Sequence, residues 1–269
     1  MFRNLTPVVK NLIIINALML FITFVMDQSF GMKLENILGF HYFESNLFKP
    51  YQLITYMFMH GGVMHLLFNM YALFLFGVML ENVWGGKRFF LYYVLCGLGA
   101  IIFQSLVNYI EFNAIQNHFE AIVTGITPSA MSEFINKQFP IFDLTPGSYL
   151  DQLIRSMPTG VEAERAAREI YNFLIQERMS IPTVGASGAV FGILLAFGMI
   201  FPNMQLMLLI PPMPIKAKWL VLIYGLMELA FGITRPGDSV AHFAHLGGML
   251  IGFILIKLWA HRNPPQNYL

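Results

Sequence analysis

Charge is what this chain has least of. Of its 269 residues only 12% are Asp, Glu, Lys or Arg, against about 25% in a soluble globular domain. Neither sign is in excess, with 16 Lys and Arg against 15 Asp and Glu. There is thus no basic stripe for nucleic acid or another polyanion. Cysteine is nearly missing too. Cys96 stands alone inside an apolar run, so an intramolecular disulfide scaffold is excluded. What fills the chain is hydrocarbon: 57% apolar residues and a mean hydropathy of +0.61. That exceeds the 45–50% or so a soluble domain carries, and it excludes disorder. The composition is that of an integral membrane protein.

A helix crosses the hydrocarbon core in about 20 apolar residues, because each backbone polar group must be satisfied within the segment. Six stretches answer that description: Val8–Met26, Val63–Leu80, Phe89–Tyr109, Val184–Phe201, Trp219–Ile233 and Val240–Ala260. The fifth is short and contains Glu228. The first is too long, and too poor in a small-residue cleavage site, for a removable signal peptide. Six spans put both termini on one side. The termini and even-numbered connections hold eight basic residues: Arg3, Lys10, Lys87, Arg88, Lys216, Lys218, Lys257 and Arg262. The short odd-numbered connections hold three, Lys33, Lys49 and Arg235. The positive-inside rule therefore puts both termini in the cytoplasm. The absence of a targeting segment and the small six-span form point to a bacterial inner membrane.

Composition divides the chain into spans 1–3 over residues 1–109, with a first loop at about 27–62, then a segment at 110–182, then spans 4–6 over 183–269. The middle segment holds nine of the fifteen acids, from Glu111 to Glu177. So long a loop without structure is unusual. Thr159-Gly160-Val161-Glu162 reads as a capping box opening a helix to about Met179, with Ala163, Ala166, Ala167, Ile170 and Leu174 on one face. Thr127-Pro128 can start another helix, and Thr145-Pro146-Gly147 reads as a turn. The expectation is a small helical, extracytoplasmic elaboration with no catalytic motif.

In so apolar a chain the informative residues are polar ones at membrane depth. His65 and Asn69 fall in the first turns of span two, Ser187 in the first turn of span four, and His245 in the second turn of span six. Even-numbered spans run the same way, so these four residues lie at one level, just beneath the outer surface. Ser187 sits in Gly185-Ala186-Ser187-Gly188-Ala189. The glycines permit close approach, and a helix N-terminus offers N–H groups to an oxyanion. A plain small-residue helix contact competes with that reading. His245 opens His245-x-x-Gly248-x-x-x-Gly252, a face tight enough to bring an imidazole to a serine on a neighbouring helix. His65 and Asn69, at i and i+4, share one face and suit an oxyanion site; a buried interhelical contact is the competing reading. His60 with His65 does not make a metal site, since no Cys, Asp or Glu stands at matching spacing. Neither Asp238 nor Glu228 is evidently placed to orient His245, and Glu228 is expected to be a packing or gate residue, with a triad acid as the competing reading.

Together these motifs resemble the rhomboid family of intramembrane serine proteases. The likeness runs from Tyr51 through His60 and His65 to Asn69, then Leu80-Glu81-Asn82-Val83-Trp84-Gly85-Gly86-Lys87-Arg88-Phe89. It resumes at Gly185-Ala186-Ser187-Gly188 and ends at Ala244-His245-Leu246-Gly247-Gly248-Met249-Leu250-Ile251-Gly252. It covers roughly 45–110 and 182–256. The resemblance implies an all-α polytopic membrane fold, a six-helix rhomboid bundle carrying a helical extracytoplasmic insertion between helices 3 and 4. It implies Ser187 as nucleophile and His245 as general base. His65, Asn69 and the Ser187 N–H would hold the oxyanion, with Phe191 packed on the imidazole and Gly185, Gly188, Gly248 and Gly252 in support. It further implies a Ser–His dyad without a carboxylate, no cofactor, no metal, and transmembrane protein substrates within the lipid bilayer. The insertion of about seventy residues departs from the family pattern. An inactive rhomboid-like client-binding protein is the main alternative. A small transporter would predict broken helices or an internal repeat, and neither is evident.

Overall fold

The computed structural model describes residues 5–207, 213–234 and 240–262. Arg3, Arg235 and Asp238, which entered the charge and orientation readings, lie outside the described residues.

The first helix, α1 (Pro7–Phe30), starts with Pro7 at a position where no N–H is needed and ends on Gly31 in the left-handed region, φ 62°. It is longer at both ends than the expected Val8–Met26. Its N-terminus receives a carboxylate from another span. Glu81, 4% exposed, accepts the N–H groups of Val8 and Val9 at 3.0 and 2.9 Å. This offsets the helix dipole and ties the start of α1 to the second span. Single helical turns follow at α2 (Glu35–Leu38) and α3 (Gln52–Thr55), the second running into a 3-10 turn at Tyr56–Phe58. Gln52 is buried within that first loop. It donates to the carbonyls of Ile37 and Leu47 and accepts the Lys49 N–H, which holds the loop to one shape.

The second span is α4 (Val63–Ala72), a π-helical stretch at Leu73–Gly77, and α5 (Val78–Trp84). Helix α6 (Gly86–Ile122) then runs for 37 residues, about 55 Å. The span expected to close at Tyr109 continues without a break, since nothing between Tyr109 and Ile122 is a glycine or proline. Its far end joins α7 (Pro128–Gln138), α8 (Tyr149–Arg155) and α9 (Val161–Met179) in a hydrophobic core of its own. Phe119 stacks on Tyr171 there, with ring centroids 4.2 Å apart. Thr127 and Ser148 cap α7 and α8 through their side chains, as N-terminal hydroxyls do. At α9 the expected capping box does not form. Gly160 is the N-cap with φ 72°, a conformation only glycine enters readily, and no side chain caps the helix.

Helix α10 (Ser187–Ile200) is the centre of the bundle and is only 14 residues long, about 21 Å. It begins three residues later than the expected Val184. Thr183 is extended there, bridged to Phe40. A short hairpin, β1 (Gln205–Met207) with β2 (Pro214–Lys216), leads to α11 (Ala217–Thr234) and α12 (His242–Arg262). Glycine sets the spacing of α6, α10 and α12. A Cβ on Gly248 would overlap the Gly188 carbonyl, and one on Gly252 the Tyr92 hydroxyl. The Tyr92 hydroxyl instead donates to the Gly192 carbonyl at 2.8 Å. Among the described residues, five helical segments are long and apolar enough to span a bilayer, with α10 as a shorter apolar helix among them. Their outward faces stay apolar, with Phe21 and Phe24 of α1 more than 60% exposed. Surfaces of that kind need lipid.

Candidate active site

At about 21 Å, α10 is shorter than the roughly 30 Å hydrocarbon core, so at least one of its ends falls short of the membrane surface. The chain just before it, Pro182 to Ala186, is non-helical. Within a membrane such backbone is tolerated where it lines a water-filled cavity. A cavity of about 1820 Å³ lies there, lined by Gly185, Ser187, Phe191, His65, Asn69 and His245, with Gln104 and Asn108 of α6 adding polar walls. Its rim also includes Glu111 of α6, Ile141 and Arg178 of α9, so the inserted helices form part of its wall. Arg178 pairs there with Glu111 and with the Gln138 carbonyl.

Ser187 is the first residue of α10, where first-turn N–H groups have no intrahelical partner. Its Oγ lies 2.8 Å from Nε2 of His245. The imidazole is 8% exposed and is clamped by Phe191, one helical turn after Ser187. The two rings stack at 4.2 Å with 6° between planes. Gln104 accepts the Ala244 N–H at 3.0 Å and so fixes the start of α12.

His65 and Asn69 face the same cavity from α4. Gly185 has φ 127°, and a Cβ there would come within 2.8 Å of the His65 ring, so glycine alone lets the serine segment pass this close. Its N–H donates to the Tyr56 carbonyl at 2.9 Å, which binds the segment to the first loop. His65 Nδ1 accepts the Gly61 N–H at 3.4 Å. The Asn69 amide donates to the His65 carbonyl at 2.9 Å rather than pointing at Ser187. His60 is buried beside His65, ring centroids 5.1 Å apart. Burial first, and the neighbouring His65 second, push its pKa down to about 4.

The third polar element is Glu228, which the sequence reading did not place beside His245. Glu228 Oε2 lies 2.9 Å from Nδ1 of His245 and accepts from Nδ1 of His242 at 2.6 Å. The expectation that Glu228 is not placed to orient His245 is not met, because the azimuth of a residue on an isolated apolar helix cannot be read without its neighbours. A sequence signal did exist. Glu228 is the sole charge between Trp219 and Thr234, and His242 stands one turn before His245 on the same face. Among the described residues, Glu228, His242 and His245 also form a group whose ligand atoms lie within 4.8 Å of one another. Ligands of a tetrahedral zinc at 2.0–2.1 Å sit about 3.3 Å apart. The observed 2.6 Å to His242 is a hydrogen-bond spacing, and the 2.9 Å to His245 an ion-pair distance.

These helices define the class, a polytopic and mostly helical membrane protein. A family model, the Rhomboid domain, matches residues 47–127 and 166–262, and the chain belongs to the rhomboid family. The match leaves out residues 128–165, which hold α7, α8 and the approach to α9. Over 73 residues the chain is 36% identical to "Rhomboid protein 1, mitochondrial" of Saccharomyces cerevisiae, covering 27% of this chain and 21% of that protein. It is 39% identical over 58 residues to "RHOMBOID-like protein 6, mitochondrial" and 41% identical over 58 to "RHOMBOID-like protein 2", both of Arabidopsis thaliana. Each of those covers 22% of this chain and 19% or 18% of the relative. The matches thus span about a fifth of the length of these relatives.

Proposed function

We propose that the protein is an intramembrane serine endopeptidase that cleaves membrane-anchored proteins in or near a transmembrane helix. The observation that carries this reading is the 2.8 Å approach of Ser187 Oγ to His245 Nε2 at the mouth of a helix N-terminus inside a large cavity. His245 takes the Ser187 proton as Oγ attacks the scissile carbonyl, and returns it to the leaving amine. A water activated by the same imidazole then hydrolyses the acyl-enzyme. The Ser187 N–H, His65 and Asn69 stabilise the oxyanion, for which Asn69 turns its amide away from the His65 carbonyl. A helical peptide bond is shielded by its own hydrogen bonds, so the substrate unwinds locally to reach Ser187.

The positive-inside count puts both termini at the cytoplasmic face. In a bacterial inner membrane that leaves the cavity mouth and the inserted helices on the outer side. Transmembrane substrates then meet the inserted helices before the serine.

The test is covalent labelling of the detergent-solubilised chain by a fluorophosphonate probe, with Ser187→Ala and His245→Ala as controls. Labelling confined to the wild type supports an activated serine. A folded wild type that stays unlabelled, and leaves a reporter transmembrane substrate intact, overturns the protease reading in favour of an inactive client-binding protein.

A further inference from the structure

Glu228 is a carboxylate at the middle of an apolar span, a placement costly enough to need a compensating partner. Its side chain is 12% exposed and turned from α11 onto α12. There it meets two imidazoles, each through Nδ1, at 2.6 Å for His242 and 2.9 Å for His245. The opposite nitrogen of His245 is the one facing Ser187 at 2.8 Å. Carboxylate, imidazole and hydroxyl thus stand in series on three different helices.

We propose that Glu228 is the positioning acid of this site, a carboxylate that holds His245 with its proton on Nδ1 and leaves Nε2 open to take the proton of Ser187. The proposal rests on the protease reading above. An acceptor-only oxygen beside Nδ1 selects the tautomer that carries the proton there. When Nε2 gains the serine proton, the same charge stabilises the imidazolium. His242 holds the carboxylate in place by its shorter contact. The Glu228–His245 approach is within ion-pairing distance but lies off the ring N–H axis, since Nδ1 of His245 has no hydrogen bond of good angle. Catalytic hydrogen bonds in ligand-free sites are often misaligned in this way and tighten with substrate.

The experiment measures the fluorophosphonate labelling rate of the full chain in detergent, together with kcat and KM on a reporter transmembrane substrate. The probe reads serine reactivity without substrate docking. Glu228→Gln keeps size and removes charge, whereas Glu228→Asp keeps charge and draws the oxygen back. The expected order is wild type, then Asp several-fold slower, then Gln slower by about 10- to 100-fold, in labelling and kcat alike with KM unchanged. A Gln variant that labels at the wild-type rate overturns the proposal. So does an Asp variant no faster than Gln, since the loss then follows shape and not charge. If the Gln variant does not survive extraction, the Asp variant decides, and wild-type reactivity in it is the overturning result. An unlabelled wild type sinks the protease reading itself. A reactive wild type with an equally reactive Gln variant sinks only the role of Glu228.

Discussion

The transmembrane bundle and the inserted helices belong to one chain but are built for different solvents. In the insertion, apolar residues sit inside and charges outside. Phe119, Phe134, Phe139 and Leu174 form the interior, hydroxyl caps start α7 and α8, and Arg168 holds Glu120 through two surface hydrogen bonds. Burial from water supplies its stability. In the bundle the outside is as apolar as the inside, so hydrophobic burial does not select one helix arrangement over another. Contact does: glycines let α6, α10 and α12 approach to backbone distance, and buried groups such as Tyr92 and Glu81 bond to the backbone of neighbouring spans. Function follows the same division. Polar side chains are routine in the insertion, whereas in the bundle they are few, and Ser187, His245, His65 and Asn69 share one cavity.

This contrast predicts opposite responses to similar substitutions. The largest effect belongs to glycines at helix crossings. Gly248→Ala places a methyl into the carbonyl of Gly188, the residue after Ser187, so α10 and α12 must part. Fluorophosphonate labelling is expected to fall by more than about 100-fold, since an ångström of misplacement at reacting groups has that order of cost. Gly125 of the insertion has open space around it and φ 69°. Gly125→Ala is expected to cost about 1–2 kcal/mol of backbone strain in the insertion and to leave labelling unchanged. Equal reactivity of the two variants would mean that the bundle does not depend on close approach.

Next in size is a core truncation in the insertion. Phe134 is 2% exposed and packs edge-on to Phe139. Phe134→Ala is expected to destabilise that core by about 3–5 kcal/mol. Because this cluster is separate from the one under the bundle, the insertion should open to limited proteolysis between 128 and 179 while Ser187 still reacts with the probe. Parallel loss of probe reaction and of protease resistance would show that the two regions unfold as one.

Much of this division is legible in the sequence, for physical reasons that also mark where legibility stops. Long apolar runs locate the spans because lipid demands them. Span direction brings residues 65, 187 and 245 to one level because even-numbered spans share an orientation. Small residues after His245 mark a close crossing. The start of α10 was not legible at Val184, because it depends on Thr183 pairing with Phe40, a contact 143 positions away in the chain. The hairpin at Gln205–Lys216 gave no period-2 signal in three-residue strands. The rotation of Glu228 toward His242 and His245, and the bond of Asn69 to the His65 carbonyl, are set by neighbouring helices and not by local pattern. Sequence indicates which face carries a residue; tertiary packing decides what that face meets.

Acid should separate the two regions as well, by the smallest of the three effects. His60 of the first loop is buried at the site, and burial lowers its pKa from 6.5 to about 4. An unfolded chain binds that proton from about pH 6.5 downward while the folded one does not, so stability falls as pH drops through this window. The loss is about 2 kcal/mol by pH 5 and about 3 kcal/mol once both states are protonated, at 1.36 kcal/mol per unit. The insertion responds in the same direction but only in a lower window. Asp143, bonded to Thr145, and Asp151, bonded to the Gly147 N–H and to Arg155, are held below the usual carboxylate range. Their contribution persists above about 3.8 and goes only as pH falls further. Between pH 8 and pH 5 the bundle should therefore lose thermal stability while proteolysis of 128–179 is unchanged. Replacing the ionisable ring, as in His60→Gln, should flatten the bundle's pH response even though it lowers stability at pH 8. A wild-type bundle whose melting temperature is the same at pH 8 and pH 5 would show that His60 is solvated, and that the polar wall behind His65 is wetter than its burial indicates.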